Sequence, residues 1–308
     1  MFSRVINLVS IELSKLVHQR IFYIALVFII LTVVISVFVE SGSREKAVEG
    51  LTQAETTQGR ADGGFVPLCS ACVNGFKLAI IFLLIFGSLS LSSEASSGTL
   101  RMILIRPFRR SELLIAKTLT LIMVVIIIMA LVELLSLTLV DSFYGLGPVV
   151  DPDFVYKPYV TKQVMSRYAL YSFVLVLLPL IAVISFGLFL STLIENTGLV
   201  VALALLIYLI LDYFVIELFP EVAPYLFPYY NNLYFKTLSN ISFYQDLTEI
   251  WRFRVIDGWL GLIKEESERI TDPVRQWVII KSIIIPLGYS ILFFISSLII
   301  FRKKDILV

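Results

Sequence analysis

Six runs of about twenty apolar residues each divide this 308-residue chain. They constrain the fold more than any other feature, because a helix crossing a hydrocarbon core of about 30 Å needs roughly 20 such residues. Within lipid, every backbone N–H and C=O must be bonded inside the segment, which leaves the α-helix as the spanning form for runs of this length. The runs fall at 21–39, 74–92, 113–140, 168–190, 199–219 and 278–301, and the second could begin as early as Val66. Hydrophobic residues make up 58% of the chain, against about 45–50% in soluble domains. Charged residues, 16% of the total, cluster between the runs. The chain reads as one all-α, multi-pass transmembrane domain over 1–308 with six transmembrane helices. No internal repeat is evident, so an inverted-repeat carrier is not expected.

Residues 1–20 precede the first run. Phe2, Val5, Ile6, Val9, Leu13, Leu16 and Val17 recur at helical spacing, while Arg4, Asn7, Glu12, Lys15 and His18 fall on the other face. That periodicity predicts an amphipathic interfacial helix. The alternative is an N-terminal extension of the first span. The apolar run from Ile21 is too long for a cleavable signal core.

Six spans place both termini on one side. With the N-terminus inside, the inner segments carry eleven basic residues against five acids, a net of +6; the rest of the chain carries fourteen against nineteen, a net of −5. Short basic segments stay in the cytoplasm, so an N-in/C-in arrangement in the cytoplasmic (inner) membrane is expected.

The outer segments then differ in character. Glu40–Gly64 is polar and glycine-containing, and Asp141–Met165 is a short loop with Gly145, Gly147, Pro148, Pro152 and Pro158. The region 220–276 opens with Pro220, Pro224 and Pro228 among Tyr225, Phe227, Tyr229 and Tyr230, aromatics suited to the headgroup belt. An apolar stripe from Phe243 to Ile263 follows, read as one or two outer amphipathic helices, before Asp272-Pro273 starts the last span.

Cys69 and Cys72 form a lone C-x-x-C, open to three readings: a disulfide, half of a metal site, or two unrelated thiols. With no second pair and a single His18 on the opposite side, an internal metal site is not expected. Glu133 in the third run and Asp212 in the fifth are carboxylates at membrane depth, with Glu217 near the outer end of the fifth. Each costs at least ~2.5 kcal/mol to insert unless solvated. They are candidates for a transport pathway or a subunit interface; the competing reading is that they reach headgroup water. Lys77, Arg167 and Lys281 lie near span ends, where snorkelling accounts for them. Pro179 and Pro286 are expected to kink their helices, and Gly87, Gly187 and Gly198 to allow close approach.

Between the second and third runs lies a polar, basic segment, 94–112, where a short loop would suffice. Glu94 ends the apolar run amid Ser92, Ser93, Ser96 and Ser97. Gly98-Thr99 permits a sharp change of direction before a short helix containing Leu100, Ile103 and Leu104. Pro107 ends that helix, and Ser111 can cap the next. The product is a helix parallel to the membrane carrying Arg101, Arg106, Arg109 and Arg110.

At Glu94, Gly98-Thr99-Leu100, Pro107, Arg110 and Lys117 the chain resembles the ABC type-2 permease family, the membrane subunits of ATP-binding-cassette exporters, with every spacing matched. The local match covers about 24 residues; Arg109, where the family often has a small polar residue, is a departure. The resemblance implies that 94–112 is a cytoplasmic coupling helix, with Glu94, Gly98, Thr99, Leu100, Arg101, Pro107, Arg110 and Lys117 as ATPase-coupling residues. It also implies two ATP-binding-cassette ATPase subunits as partners, and a second permease copy or homologue forming a dimer. ATP and Mg would belong to the partner ATPase.

The chain itself has no G-x-x-x-x-G-K-[ST] phosphate loop and no polar segment long enough for a nucleotide-binding domain, so an enzyme is not expected here and no cofactor is assigned to it. The near-neutral pI of 7.7 gives nucleic-acid binding no support. The resemblance therefore implies a permease subunit exporting a substrate with energy from a separate ATPase. The alternatives are an ATP-independent carrier or channel, in which Glu133 and Asp212 couple or select ions, and a non-transporting scaffold that docks an ATPase.

Overall fold

In a computed structural model the chain is an all-α bundle. The structure describes residues 2–49, 64–99, 110–145, 149–150, 158–160, 162–219, 221–232 and 273–303. Among these residues seven helices organise the bundle: α1 (Phe2–Val17), α2 (Arg20–Glu49), α3 (Phe65–Ser96), α4 (Arg110–Phe143), α5 (Lys162–Leu193), α6 (Thr197–Leu209) and α7 (Pro273–Lys303). Beyond Leu209, α6 continues through a π-helical stretch, Ile210–Val215, into Ile216–Leu218. Helices α2 to α7 supply six segments long and apolar enough to cross a membrane.

Several helices outrun their apolar runs. Helix α2 continues to Glu49, past the point where polarity marks a loop at Glu40, because Glu, Lys and Ala remain good helix formers after the membrane ends. The second crossing segment spans Pro67–Ser96, not 74–92. Pro67 is accommodated in the first turn of α3, where an N–H has no intrahelical acceptor. Between α4 and α5, an antiparallel pairing of β1 (Val149–Val150) with β2 (Pro158–Val160) stands where only a loop was expected.

Helix α3 is the axis, packing against α2, α4, α5 and α6, while α7 packs on α5. In lipid, where burying apolar surface gains little, close backbone approach is what holds helices together. Gly87 of α3 and Gly187 of α5 supply it: a Cβ on Gly87 would stand 2.8 Å from the Ile184 carbonyl oxygen, and one on Gly187 2.9 Å from that of Leu84. Gly75 is similarly enclosed by Val33 of α2 and Val132 of α4. The ends of the antiparallel α3/α4 pair are marked by glycines. At one end Gly64 meets Gly145, whose φ of +71° terminates α4; at the other, Gly98 with φ +70° terminates α3.

A hydroxyl seam runs from α3 to the α5–α6 turn. Ser191 Oγ accepts from the backbone N–H of Leu91 (3.0 Å) and Ser92 (2.8 Å), and Ser96 Oγ meets Thr197 Oγ1 at 2.8 Å. Asn196 caps α6, its side chain accepting from Gly198 and Leu199.

The aromatic segment after α6 departs from the headgroup-belt reading. Two 3₁₀ turns, Ala223–Tyr225 and Phe227–Asn232, fold back onto α5 and α7. Phe227 is buried against Phe186, Tyr289 and Phe293, and Tyr230 donates to the Pro224 carbonyl at 2.6 Å. Burial pushes the Tyr230 phenol up to about 12. Prolines preset the tight turns that let these rings turn inward. Tyr225 stays outside, its ring 4.7 Å beneath Lys281 Nζ, so Lys281 has a partner beyond headgroup water. The outer amphipathic helices expected within 220–276 fall, from residue 233 to 272, outside the described residues.

Candidate functional site: an ion-paired hairpin base and a lateral cleft

Two loci concentrate polar chemistry. The first is the base of the α3/α4 hairpin. Its two inward-facing motif residues, Glu94 on the last turn of α3 and Lys117 two turns into α4, come together with Glu12 and Lys15 of α1. Lys117 Nζ lies 2.9 Å from Glu12 Oε2 and 3.0 Å from Glu94 Oε2; Lys15 Nζ lies 3.0 Å from Glu12 Oε1 and 3.0 Å from Glu94 Oε1. The four side chains form a closed ring of alternating charge. Lys117 also donates to Glu12 Oε2 and to the Ser90 carbonyl, both at 2.9 Å, while Glu94 Oε2 is held to it by charge alone. Its side chain is only 2% exposed.

Glu12 corrects the helical-wheel assignment. It does not belong to the outer polar face with Asn7, but is buried beside Leu8 on the side of α1 that docks on α4, while Ile6 and Ile11 are exposed. Lys117 is the reason, since a cation at that depth requires a counter-charge. Burial alone would raise the Glu12 carboxyl, but Lys117 and Lys15 outweigh it and hold it below the usual carboxylate range. Burial would lower the Lys15 ammonium; Glu94 and Glu12 outweigh that and raise it.

The remaining motif positions divide. Thr99 Oγ1 donates to the Glu94 carbonyl at 3.4 Å and meets Ser97 Oγ at 2.9 Å, closing the turn at Gly98. Arg110 is the half-buried first residue of α4. Leu100, Arg101 and Pro107 lie outside the described residues.

The second locus is a lateral cleft between α2, α3 and the π-helical stretch of α6. One lobe of about 320 Å³ is lined by Lys77, Asp212, Tyr213, Ile216 and Glu217. A second, of about 450 Å³, shares Lys77, Asp212 and Tyr213 and runs inward past Asn74, Tyr208 and Asn231. The extra residue in each π turn re-aims side chains locally, and such turns recur at functional sites; here Asp212 and Tyr213 are the ones placed in the cleft. Asn74 Nδ2 donates to Ser36 Oγ at 3.1 Å, and Asn231 Nδ2 to Tyr208 Oη at 2.8 Å.

Asp212 and Glu217 thus share a site, and the structure adds Lys77, which snorkelling alone had explained. A sequence signal existed: Asn74 and Lys77 are three residues apart on one helix, and Thr32 and Ser36 four apart on another. Glu133 lies elsewhere, its Oε2 accepting from Cys72 Sγ at 3.4 Å across the α3/α4 contact. Cys69 and Cys72 are both buried and both free thiols. Of the three readings left open for the pair, the structure holds no disulfide: both thiols lie within α3 and are free. Among the described residues no cluster of His, Cys, Asp and Glu could hold a metal ion.

A search of curated proteins finds no match to this chain. The profile of the ABC-2 family of transporter proteins matches residues 6–306, nearly the entire length. This chain, with six helices long and apolar enough to cross a membrane, therefore belongs to the ABC-2 transporter family.

Proposed function

We propose that this protein is the exporting permease subunit of an ABC transporter, working as a dimer with two ATPase subunits bound at the α3/α4 hairpin. Family membership implies partnership with ABC ATPase subunits; the stoichiometry, the dimer and the outward direction are this reading's own. The observation that carries it is the charge ring joining Glu94, Lys117, Glu12 and Lys15. It makes the interfacial helix and the start and end of the coupling segment one body, so a push on residues 98–109 moves α1, α3 and α4 together. Those helices would carry the motion to a pathway near the dimer interface, with Asp212 and Glu217 beside it and Glu133 at the α3/α4 contact. The basic asymmetry of the sequence supports an N-in/C-in orientation in the cytoplasmic membrane, which puts the ring on the ATPase side.

The test is co-expression with an ABC ATPase subunit, followed by co-purification and ATP hydrolysis by the complex. Recovery of the ATPase with the wild-type chain, and its loss with Arg110→Ala or Glu94→Ala at normal membrane insertion, is the expected result. Equal recovery from all three would remove the hairpin from coupling. Labelling of a single cysteine at Ser97 by an impermeant reagent in intact cells would overturn the orientation.

A further inference from the structure

An α-helix joins the N–H groups of residues 91–94 to the carbonyls of residues 87–90. In α3 each of these four bonds has a competing partner from a side chain. Ser191 Oγ of α5 accepts from the N–H of Leu91 (3.0 Å) and of Ser92 (2.8 Å). Ser92 Oγ donates to the Ser88 carbonyl at 2.7 Å, Ser93 Oγ to that of Leu89 at 2.6 Å, and Lys117 Nζ of α4 to that of Ser90 at 2.9 Å. In hydrocarbon a helix cannot bend by giving up ladder bonds to water, so bends stand where other groups take those bonds over. Serine hydroxyls bonded to the carbonyl four residues back bend helices by the same competition. Gly87-Ser88 opens the stretch, and Gly/Ser pairs are among the few causes of helix kinks.

The two sides of this stretch are held by different parts of the bundle. At Gly87, α3 is in backbone contact with α5, where a Cβ would stand 2.8 Å from the Ile184 carbonyl oxygen. At Glu94 it is ion-paired to Lys15 of α1 and Lys117 of α4. We propose that residues 87–94 are a bending point of α3, with Ser191 holding the N–H groups of Leu91 and Ser92 when the ladder opens. Opening then leaves to water the N–H groups of Ser93 and Glu94, both half-buried near the helix exit. As a bend in α3 this stands on its own geometry; as the joint at which a pull on the hairpin base tilts α3 against α5, it rests on the permease reading.

The test is amide hydrogen exchange of the full-length protein in phosphatidylcholine nanodiscs, read by mass spectrometry with residue-resolving fragmentation and no ATPase present. A static tie and a bending point give opposite signs for Ser191→Ala. If Ser191 only clamps α3 to α5, its loss loosens the helix, and the amides of Ser93 and Glu94 exchange faster. If it serves the open ladder, its loss penalises the open state more than the closed one, where the Gly87 and Ser88 carbonyls still accept. The two amides then exchange about fivefold slower, the scale of one neutral hydrogen bond. Slower exchange cannot come from misfolding. Ser92→Ala, which removes the competing donor at the Ser88 carbonyl, gives a second reading and should also slow the Glu94 amide. Ser297→Ala on α7, whose hydroxyl donates to the Phe293 carbonyl at 2.7 Å, should leave both amides unchanged. Faster or unchanged exchange in Ser191→Ala or Ser92→Ala, or an equal slowing in Ser297→Ala, would overturn the proposal. Because no ATPase enters this assay, the bend can fail while the permease reading stands, and co-purification can fail while α3 bends.

Discussion

Lys117 and Glu12, 105 residues apart in sequence, are joined by a 2.9 Å ion pair at the base of the α3/α4 hairpin. Removing one partner of a buried pair strands the other's charge, at a penalty of about 3–5 kcal/mol. Lys117→Met should therefore lower stability by that order and loosen α1 from α4. The double variant Glu12→Gln/Lys117→Met should lose less than the sum of the single changes. Thermal unfolding in detergent measures both; strict additivity would show that the two residues do not interact.

The ring should also set a pH range for docking of α1. The Glu12 carboxyl is depressed in the docked state, so its contribution is present above its undocked pKa and is lost as pH falls through the lower, docked value. The Lys15 ammonium is raised, so its contribution is present below its undocked pKa and is lost as pH rises through the higher one. Hydrogen exchange of the α1 amides should accordingly show opening flat between about pH 6 and about pH 9 once corrected for intrinsic rates, and rising at acid pH. A transition centred near pH 7 would refute the assignment.

Gly98 and Gly187 should fail in different ways. Gly98 has φ +70° and open space around its missing Cβ, so its constraint is conformational. Gly98→Asn should be tolerated, whereas Gly98→Val should cost about 1–2 kcal/mol and weaken ATPase association. Gly187 is enclosed by the backbone of α3, with 2.9 Å to the Leu84 carbonyl oxygen. There Gly187→Ala should already cost about 1–3 kcal/mol through overpacking. Melting temperatures of the three variants test this; a benign Gly187→Ala would contradict the close helix contact.

Glu133 gives a separate expectation. With Cys72 Sγ at 3.4 Å and its side chain partly buried, its carboxylate serves the α3/α4 contact more than the cleft. Glu133→Gln, which keeps an acceptor for Cys72, should leave stability within about 0.5 kcal/mol, while Glu133→Leu should lower it by about 1–3 kcal/mol. Detergent-melting curves separate the two. Equal behaviour of both variants would return Glu133 to headgroup water.

Much of the architecture was legible because membrane solvent imposes a simple rule: about 20 apolar residues make a crossing. Six runs, their basic flanks and the spacing from Glu94 to Lys117 carry enough periodic and compositional signal to read the helices and the family directly. Helix ends were less legible, as at Pro67 and Glu49, because a helix stops where backbone bonding stops and not where polarity begins. Pairwise geometry was the part hidden from a linear reading. A periodicity argument assigns every polar residue of an amphipathic helix to water, and so cannot see that Glu12 turns inward to meet a lysine on a distant span. Likewise Lys77, Asp212 and Asn231 come from three separate segments, and only the packing of α3, the π-helical stretch after α6 and the 3₁₀ turn Phe227–Asn232 brings them to one cleft. Composition decided that the chain folds in a membrane; burial of charge, which depends on what packs against what, decided where its polar groups meet.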